Sequence, residues 1–217
     1  GKQPVICGDS RFDQVYFRFT NNTKQILPNY FESLTTTIFG SIDYYDQELI
    51  VSALKQKYPQ GTQNLVNNQE CLIFVTHENT QDTIESIIKE LRKCQFKITK
   101  FSSLNLSMKE HVIIVDELGY LADLYKYAKK AYVGGGFSKG VHSILEPAIY
   151  NCNIGHGPNI EMLDEAKTIL NNGDSTLITN SNDMYNFLSQ SNTNIKTRSY
   201  ILNNINATKE ICSYITQ

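Results

Sequence analysis

The chain has no apolar run near the roughly 18 residues that a membrane-crossing helix requires, so no transmembrane segment is expected in its 217 residues. It has no CxxC pair either. Its five cysteines, Cys7, Cys71, Cys94, Cys152 and Cys212, are odd in number and scattered, and only His111, at a distance, could join Cys94 as a loose ligand set. No structural zinc is expected from such spacing, and the cysteine usage fits a reducing, cytosolic setting. A basic excess is also missing: 20 Lys and Arg face 22 Asp and Glu, for a net charge of -2. Nothing in that balance would grip nucleic-acid phosphates without regard to sequence. The opening GKQPVICGDSRFD lacks a charged-then-apolar leader, so no secretory signal is expected.

What is present suits a packed domain. Apolar residues make up 41% of the chain and charged residues 19%, too apolar for disorder and enough to fill a sizeable core. After a lead-in over residues 1–30, segments with strand and helix character alternate. Residues 35–40 (TTTIFG) predict a strand and 44–57 a helix with Leu49, Ile50, Ala53 and Leu54 on one face. A buried strand at 71–76 (CLIFVT) precedes an amphipathic helix in which Ile84, Ile87, Ile88 and Leu91 recur at helical spacing, with Asp82 and Glu85 as a helix-start pairing. Further strands are expected at 96–101 and 111–115 (HVIIV). A helix carrying Leu121, Leu124, Tyr125 and Ala128 then leads to a short strand at 131–133 that runs into glycines. Helices at 141–150 and 160–170, a last strand at 176–179 and a helical tail from Ser181, split in two at 189–194, complete the pattern. Residues 60–69, polar and glycine-containing, read as a loop. Strands alternating with helices predict one α/β domain over residues 1–217, an open parallel sheet with crossover helices.

Ligands of open α/β sheets bind beyond the carboxyl ends of the strands. Four segments fall there: Gly40-Ser41, Thr76-His77-Glu78, residues 116–119, and the glycines after Val133. The last is the richest. Gly134, Gly135 and Gly136 let backbone amides approach a ligand, and a following helix start offers unpaired N–H groups to an anion. Glu146, about one turn into that helix, could accept a hydrogen bond from each hydroxyl of a vicinal diol such as a ribose, or simply be a solvated surface glutamate. Two familiar phosphate loops fail here: counting G-x-G-x-x-G from Gly134 ends on Lys139, and Val141 rather than Lys follows Gly140. His77 could stack on a base or sugar, carry a proton, or stand as a merely exposed residue. Ser138 and Ser143 lie near His142 without a G-x-S-x-G elbow. No cluster suggests a metal, no cofactor is implied, and Asp9 and Asp13 around Arg11 read as a local salt-bridged turn.

These residues resemble a family. Residues 8–13 (GDSRFD) are similar to the GDTRFDR segment of the bacterial 3-deoxy-D-manno-octulosonic acid (Kdo) transferases of lipopolysaccharide synthesis. Gly40-Ser41 with Asp43 and Asp46 resembles the family's GST segment, and Thr76-His77-Glu78 its PRH or PHE segment. Residues 116–125 (DELGYLADLY) resemble the stretch before the glycines, residues 132–147 (YVGGGFSKGVHSILEP) the signature VGGGFG-GIHNxLEP, and Gly157-Pro158 the later GP. Thr76 replaces the family's proline, Ser143 its Asn and Ile42 its Thr, and residues 153–158 are more polar than the usual PVIFGP.

The resemblance implies a Rossmann-like fold, the carboxy-terminal half of a two-domain (GT-B) glycosyltransferase, beginning at the interdomain crossover as an excised domain or split-gene product. It implies binding of CMP-Kdo or CMP, with Thr76 and His77 beside the cytosine and Gly119, Tyr120 and Leu121 as the backbone wall reading the pyrimidine edge. Gly135, Gly136 and Ser143 would cradle the phosphate, and Glu146 would hold the ribose. It places the catalytic carboxylate, the lipid A precursor (the acceptor) and any membrane association in the other half, at the cytoplasmic face of the inner membrane. The chain alone is expected to be inactive and soluble. A UDP-sugar transferase domain and a noncatalytic nucleotide-binding module are the competing readings.

Overall fold

A computed structural model describes residues 4–105, 107–191 and 196–215. Seven strands form its sheet: β1 (Thr35–Ile42), β2 (Glu70–Thr76), β3 (Thr99–Lys100), β4 (Val112–Ile114), β5 (Ala128–Val133), β6 (Asn153–His156) and β7 (Ser175–Leu177). Around it lie α1 (Ser10–Asn21), α2 (Tyr44–Lys57), α3 (Thr62–Asn68), α4 (Gln81–Lys93), α5 (Leu121–Leu124) and α6 (Leu145–Ile149). The chain continues through α7 (Asp164–Asn171), α8 (Ser181–Ser189), α9 (Thr197–Leu202) and α10 (Ala207–Ile215). The strand order is β3-β4-β2-β1-β5-β6-β7, with every pairing parallel. The expected open parallel α/β sheet is thus the observed architecture. Among the described residues no helix is long and apolar enough to cross a membrane.

Strand period decides which side chains go where. Ile38, Ile73, Ile113, Ala131 and Ile154 face one side of the sheet and pack with residues of α1, α6, α7 and α9. Phe39, Leu72, Phe74, Val112, Ile114 and Tyr132, one residue out of phase, face the other and pack with α2, α4 and α8. A one-residue slip in any strand would exchange the two sets, so the register is strongly specified. In α4 the stripe Ile84, Ile87, Ile88 and Leu91 is buried as the periodicity predicts. Each such side chain contributes roughly 1.5–3 kcal/mol as an upper bound. The helix starts at a different cap from the expected one: Thr80, not Asp82, accepts the N–H of Thr83 at 3.2 Å.

Several boundaries differ from expectation. Residues 60–69 are largely helix α3, entered through Gly61 at φ 55 and buried through Leu65. The strand expected at 96–101 shrinks to Thr99–Lys100, because Phe96 is buried on the helical side and Lys97 N–H is taken by Thr62 Oγ1 at 2.7 Å. The helix expected to run to Ala128 stops at Leu124, passes through a 3-10 turn at Tyr125–Tyr127 and gives way to β5 at Ala128 itself. The helices expected at 141–150 and 160–170 are Leu145–Ile149 and Asp164–Asn171, and the last strand is Ser175–Leu177. From Ser181 the tail forms three helices rather than two, and residues 192–194 of the expected break lie outside the described residues. The lead-in holds the 12-residue helix α1, capped by Asp9, whose carboxylate accepts Arg11 N–H at 2.8 Å.

Candidate functional site

Strand order reverses between β1 and β5: from β1 the chain builds outward through β2 and β4, then returns to lay β5 on the other side. A sheet of this kind opens a crevice at that point, beyond the strand ends. The loops after β1, β4 and β5 meet there.

The crevice is built around a buried carboxylate. Asp46, fully buried at the start of α2, accepts the N–H of Asp43 at 2.9 Å and of Gly135 at 3.0 Å on one oxygen. Its other oxygen accepts the Tyr132 hydroxyl at 2.6 Å. Asp43 returns the favour by capping α2, accepting the N–H groups of Tyr45 and Asp46 at 2.8 and 3.3 Å, and it also accepts the Ser138 hydroxyl. The glycine turn is thereby fastened to the β1–α2 corner. Gly134 is required by closeness, since a Cβ there would lie 2.4 Å from the Ser41 carbonyl and 2.6 Å from the Asp46 carboxylate. Burial pushes the Asp46 carboxyl above its ordinary range, opposed by the hydrogen bonds from Tyr132, Asp43 and Gly135. Ser41, at φ 52 where β1 bulges, is a non-glycine residue in the left-handed region facing the crevice.

The crevice has two compartments. The first, about 260 Å³, is lined by Ser41 at the bulged end of β1, by Gly119, Leu121, Ala122 and Tyr125 after β4, and by His142, Ser143 and Glu146 after β5, with Arg18 of α1 closing one side. The second, about 270 Å³, is lined by Asp43, Tyr44, Tyr45, His77, Glu78, Ser138 and Lys139, and His142 borders both. The rings of His77 and His142 stack with centroids 4.2 Å apart at 24°. Burial depresses the His142 pKa, the neighbouring His77 adds to this, and Asp43 opposes it.

Of the nine residues singled out from the sequence, Gly119, Leu121, Ser143 and Glu146 come together in the first compartment. His77 lies in the second. Thr76 is buried at the end of β2, its hydroxyl without a hydrogen-bond partner among the described residues. Tyr120 turns from the first compartment to pack its ring 4.8 Å from that of Phe101. Gly135 and Gly136 are buried behind the wall. Gly135 has its N–H committed to Asp46, and a Cβ on Gly136 would meet Gly157 Cα at 2.6 Å. Arg18, Tyr125 and the organising role of Asp46 were missed. Arg18 sits in what read as lead-in, about 100 residues from its partners, with no local signal; Asp46 was noticed only as an acidic neighbour of Gly40-Ser41. The Asp9–Arg11 pair is local as expected, at 2.7 Å, but Arg11 also reaches Glu165 at 2.8 Å, and Asp13 serves a different contact in the tail. Among the described residues no group of three or more His, Cys, Asp or Glu is placed to hold a metal ion.

Comparison with known proteins adds the lineage. No protein-family model matches the chain. A bifunctional glycosyltransferase/methyltransferase of Fusobacterium nucleatum is 29% identical over 135 residues, covering 61% of this chain and 20% of the relative. A 3-deoxy-D-manno-octulosonic acid transferase of Rickettsia felis is 26% identical over 160 residues, covering 73% of this chain and 33% of the relative. The chain thus spans a third or less of the length of these relatives. Among solved structures, the C-terminal CMP-Kdo binding domain of WaaA from Acinetobacter baumannii superimposes with a TM-score of 0.61 at 15% identity, covering 93% of this chain and 94% of that one. The chain is thus similar in sequence to proteins named as Kdo transferases, and it shares its parallel α/β fold with that CMP-Kdo binding domain.

Proposed function

We propose that this chain is the donor-binding, carboxy-terminal half of a Kdo transferase and that its first compartment holds the cytidine nucleotide of CMP-Kdo. One observation carries the reading: Gly119, Leu121, Ser143 and Glu146, which the family resemblance nominates from two segments more than 20 residues apart, line a single crevice at the strand-order reversal. The relatives named as Kdo transferases and the fold of a CMP-Kdo binding domain support it.

In this reading the Gly119–Leu121 backbone presents its peptide groups to the pyrimidine edge, and Glu146 accepts hydrogen bonds from the ribose hydroxyls. Ser143 meets the phosphate, while Gly135 and Gly136, buried behind the wall, serve by letting the turn close on Asp46 and on Gly157 rather than by donating to the ligand. His77, across its stack with His142, borders the compartment where the sugar of the donor would project. The chain supplies no catalytic group; the acceptor, a lipid A precursor, and the catalytic carboxylate belong to the other half, working at the cytoplasmic face of the inner membrane.

The test is Glu146→Gln, which keeps the shape but loses the charge and one acceptor. CMP binding should weaken by about 1–3 kcal/mol, the range for hydrogen bonds to charged groups. Deoxy-CMP, lacking the 2′-hydroxyl, should lose less. Calorimetric affinities equal for parent and folded variant would defeat the assignment of Glu146.

A further inference from the structure

A groove of about 570 Å³ runs between α2 and α4. Helical spacing sets Gln47, Glu48, Val51 and Lys55 of α2 along one wall, with Ser86 and Glu90, one turn apart, on the α4 wall. Tyr44 and Tyr45, in the first turn of α2, line it too. They are 77% and 64% exposed, with ring centroids 5.9 Å apart at 81°. The reciprocal capping of Asp43 and Asp46 fixes the backbone beneath them. Both rings also border the second compartment, so the groove continues the crevice. Gln47 is the residue that points to a ligand. Only 6% of it is exposed, it lines the groove, and its amide has no hydrogen-bond partner among the described residues. A buried amide left unpaired costs stability, so one that opens on a cavity calls for a polar occupant. The side chains of Glu48 and Lys55 have no partner among the described residues either, and Glu90 holds Lys93 at 2.6 Å.

We propose that this groove is a binding site for an uncharged saccharide, separate from the nucleotide pocket. A tyrosine ring can lie against the apolar C–H face of a pyranose while its hydroxyl stays wet. An amide sets a donor beside an acceptor and a carboxylate offers two acceptors, which is what a pair of vicinal hydroxyls needs. The walls carry two carboxylates, Glu48 and Glu90, against the single ammonium of Lys55, a balance that disfavours an anionic sugar. A peptide helix or strand would want an apolar floor, and apart from the two rings Val51 is the only apolar side chain among the described lining residues. A saccharide lying here would pass the two tyrosines on its way to the second compartment. The inference stands apart from the nucleotide reading, since a chain that bound no CMP could still hold a sugar in this groove.

The experiment follows backbone amide shifts of the full chain titrated with two uncharged probes, cellobiose and N,N′-diacetylchitobiose, and with free Kdo as an anionic one. At least one uncharged probe should give saturable shifts within residues 44–55 and 86–90, and Kdo should bind there roughly tenfold more weakly. Two variants are compared: the double change Tyr44→Ala with Tyr45→Ala, and Gln47→Met, which swaps the amide for an apolar chain of similar length. Each should weaken the sugar by about tenfold, one hydrogen bond's worth. Gln47→Met should also leave the CMP response unchanged and, having removed an unpaired amide, should not lower the unfolding midpoint. A merely structural Gln47 would lower the midpoint and leave the sugar affinity as it was, which would overturn the proposal. So would the absence of saturable shifts in those stretches, or Kdo binding there as tightly as the uncharged probes. A dimer seen by sedimentation without sugar, with the same residues shifting on dilution, would give the groove to a second copy and overturn it too. A chain that answers to CMP but to neither uncharged probe defeats this site alone, and the converse defeats the nucleotide reading alone.

Discussion

Asp46 joins three donors from three different places: the corner before its own helix, the hydroxyl of Tyr132 in β5, and the amide of Gly135. Asp46→Ala would strand all three beneath the turn, and a loss of roughly 2–4 kcal/mol is expected, since each orphaned buried donor costs about 1–3 kcal/mol before relaxation. Asp46→Asn can keep the arrangement, its carbonyl accepting both amides and its NH2 donating to the Tyr132 oxygen. The pH dependence follows from the raised pKa of the carboxyl. Because the folded state holds that proton more tightly than the unfolded chain, the contribution is fully present below the unfolded value and is lost as pH rises through the folded one. Urea unfolding should therefore show the Asn variant gaining on the parent as pH rises above the ordinary carboxylate range; a difference that does not vary with pH would contradict the assignment. Glu146 and Gly119 were legible in the sequence because the signature segments sit where an α/β sheet binds ligands. Asp46 was not, because a buried, triply bonded carboxylate and a solvated helix-start residue have the same local pattern.

Helix α1 ties the molecule together in ways its sequence does not announce. Arg11 joins it to α7 through Glu165, Arg18 and Asn22 to the α5 segment, and Asp13 to the tail, where its carboxylate accepts the N–H groups of Asn206 and Thr208. Asp13 thus caps α10 from outside that helix. Partial burial pushes its pKa up, the two amides outweigh that, and the net shift is downward. Its contribution is accordingly present above the unfolded carboxylate range and fades as pH falls through the lowered folded value. Asp13→Ala should cost about 1 kcal/mol, the usual worth of a cap. Hydrogen exchange should show lost protection confined to residues 207–215, and uniform loss across the sheet would contradict it. The lead-in hid this helix because its apolar residues, Phe12, Val15 and Phe19, were overshadowed by the charged motif that begins it. Helix α3 escaped for a related reason: its asparagines favour turns by competing locally with the backbone, and its packing through Leu65 overrides that preference.

Across the whole molecule, alternation of strand-like and helix-like apolar patterns was enough to read a parallel sheet and its flanking helices, because both faces of the sheet are buried and the inner strands β2 and β4 are almost wholly apolar; β6, reading Asn153-Ile154-Gly155-His156, is too polar for that signal and was not read as a strand. Short strands at the edge, β3 above all, carry too few residues for any pattern, and their extent is decided by neighbours. The crevice lies where the strand order reverses, a property of the topology that no single segment displays. Since the donor half alone contains no acceptor site in this reading, incubating the chain with CMP-Kdo and a lipid A precursor should give no glycosylated product above the no-protein control. The most direct measurement of the central claim is a CMP titration followed by backbone amide shifts across the full chain. The account predicts saturable shifts centred on Ser41, Gly119, Leu121, Ser143 and Glu146, with weaker responses to UMP and UDP at the same concentrations. Shifts absent from those residues, or a tighter response to UDP than to CMP, would contradict it.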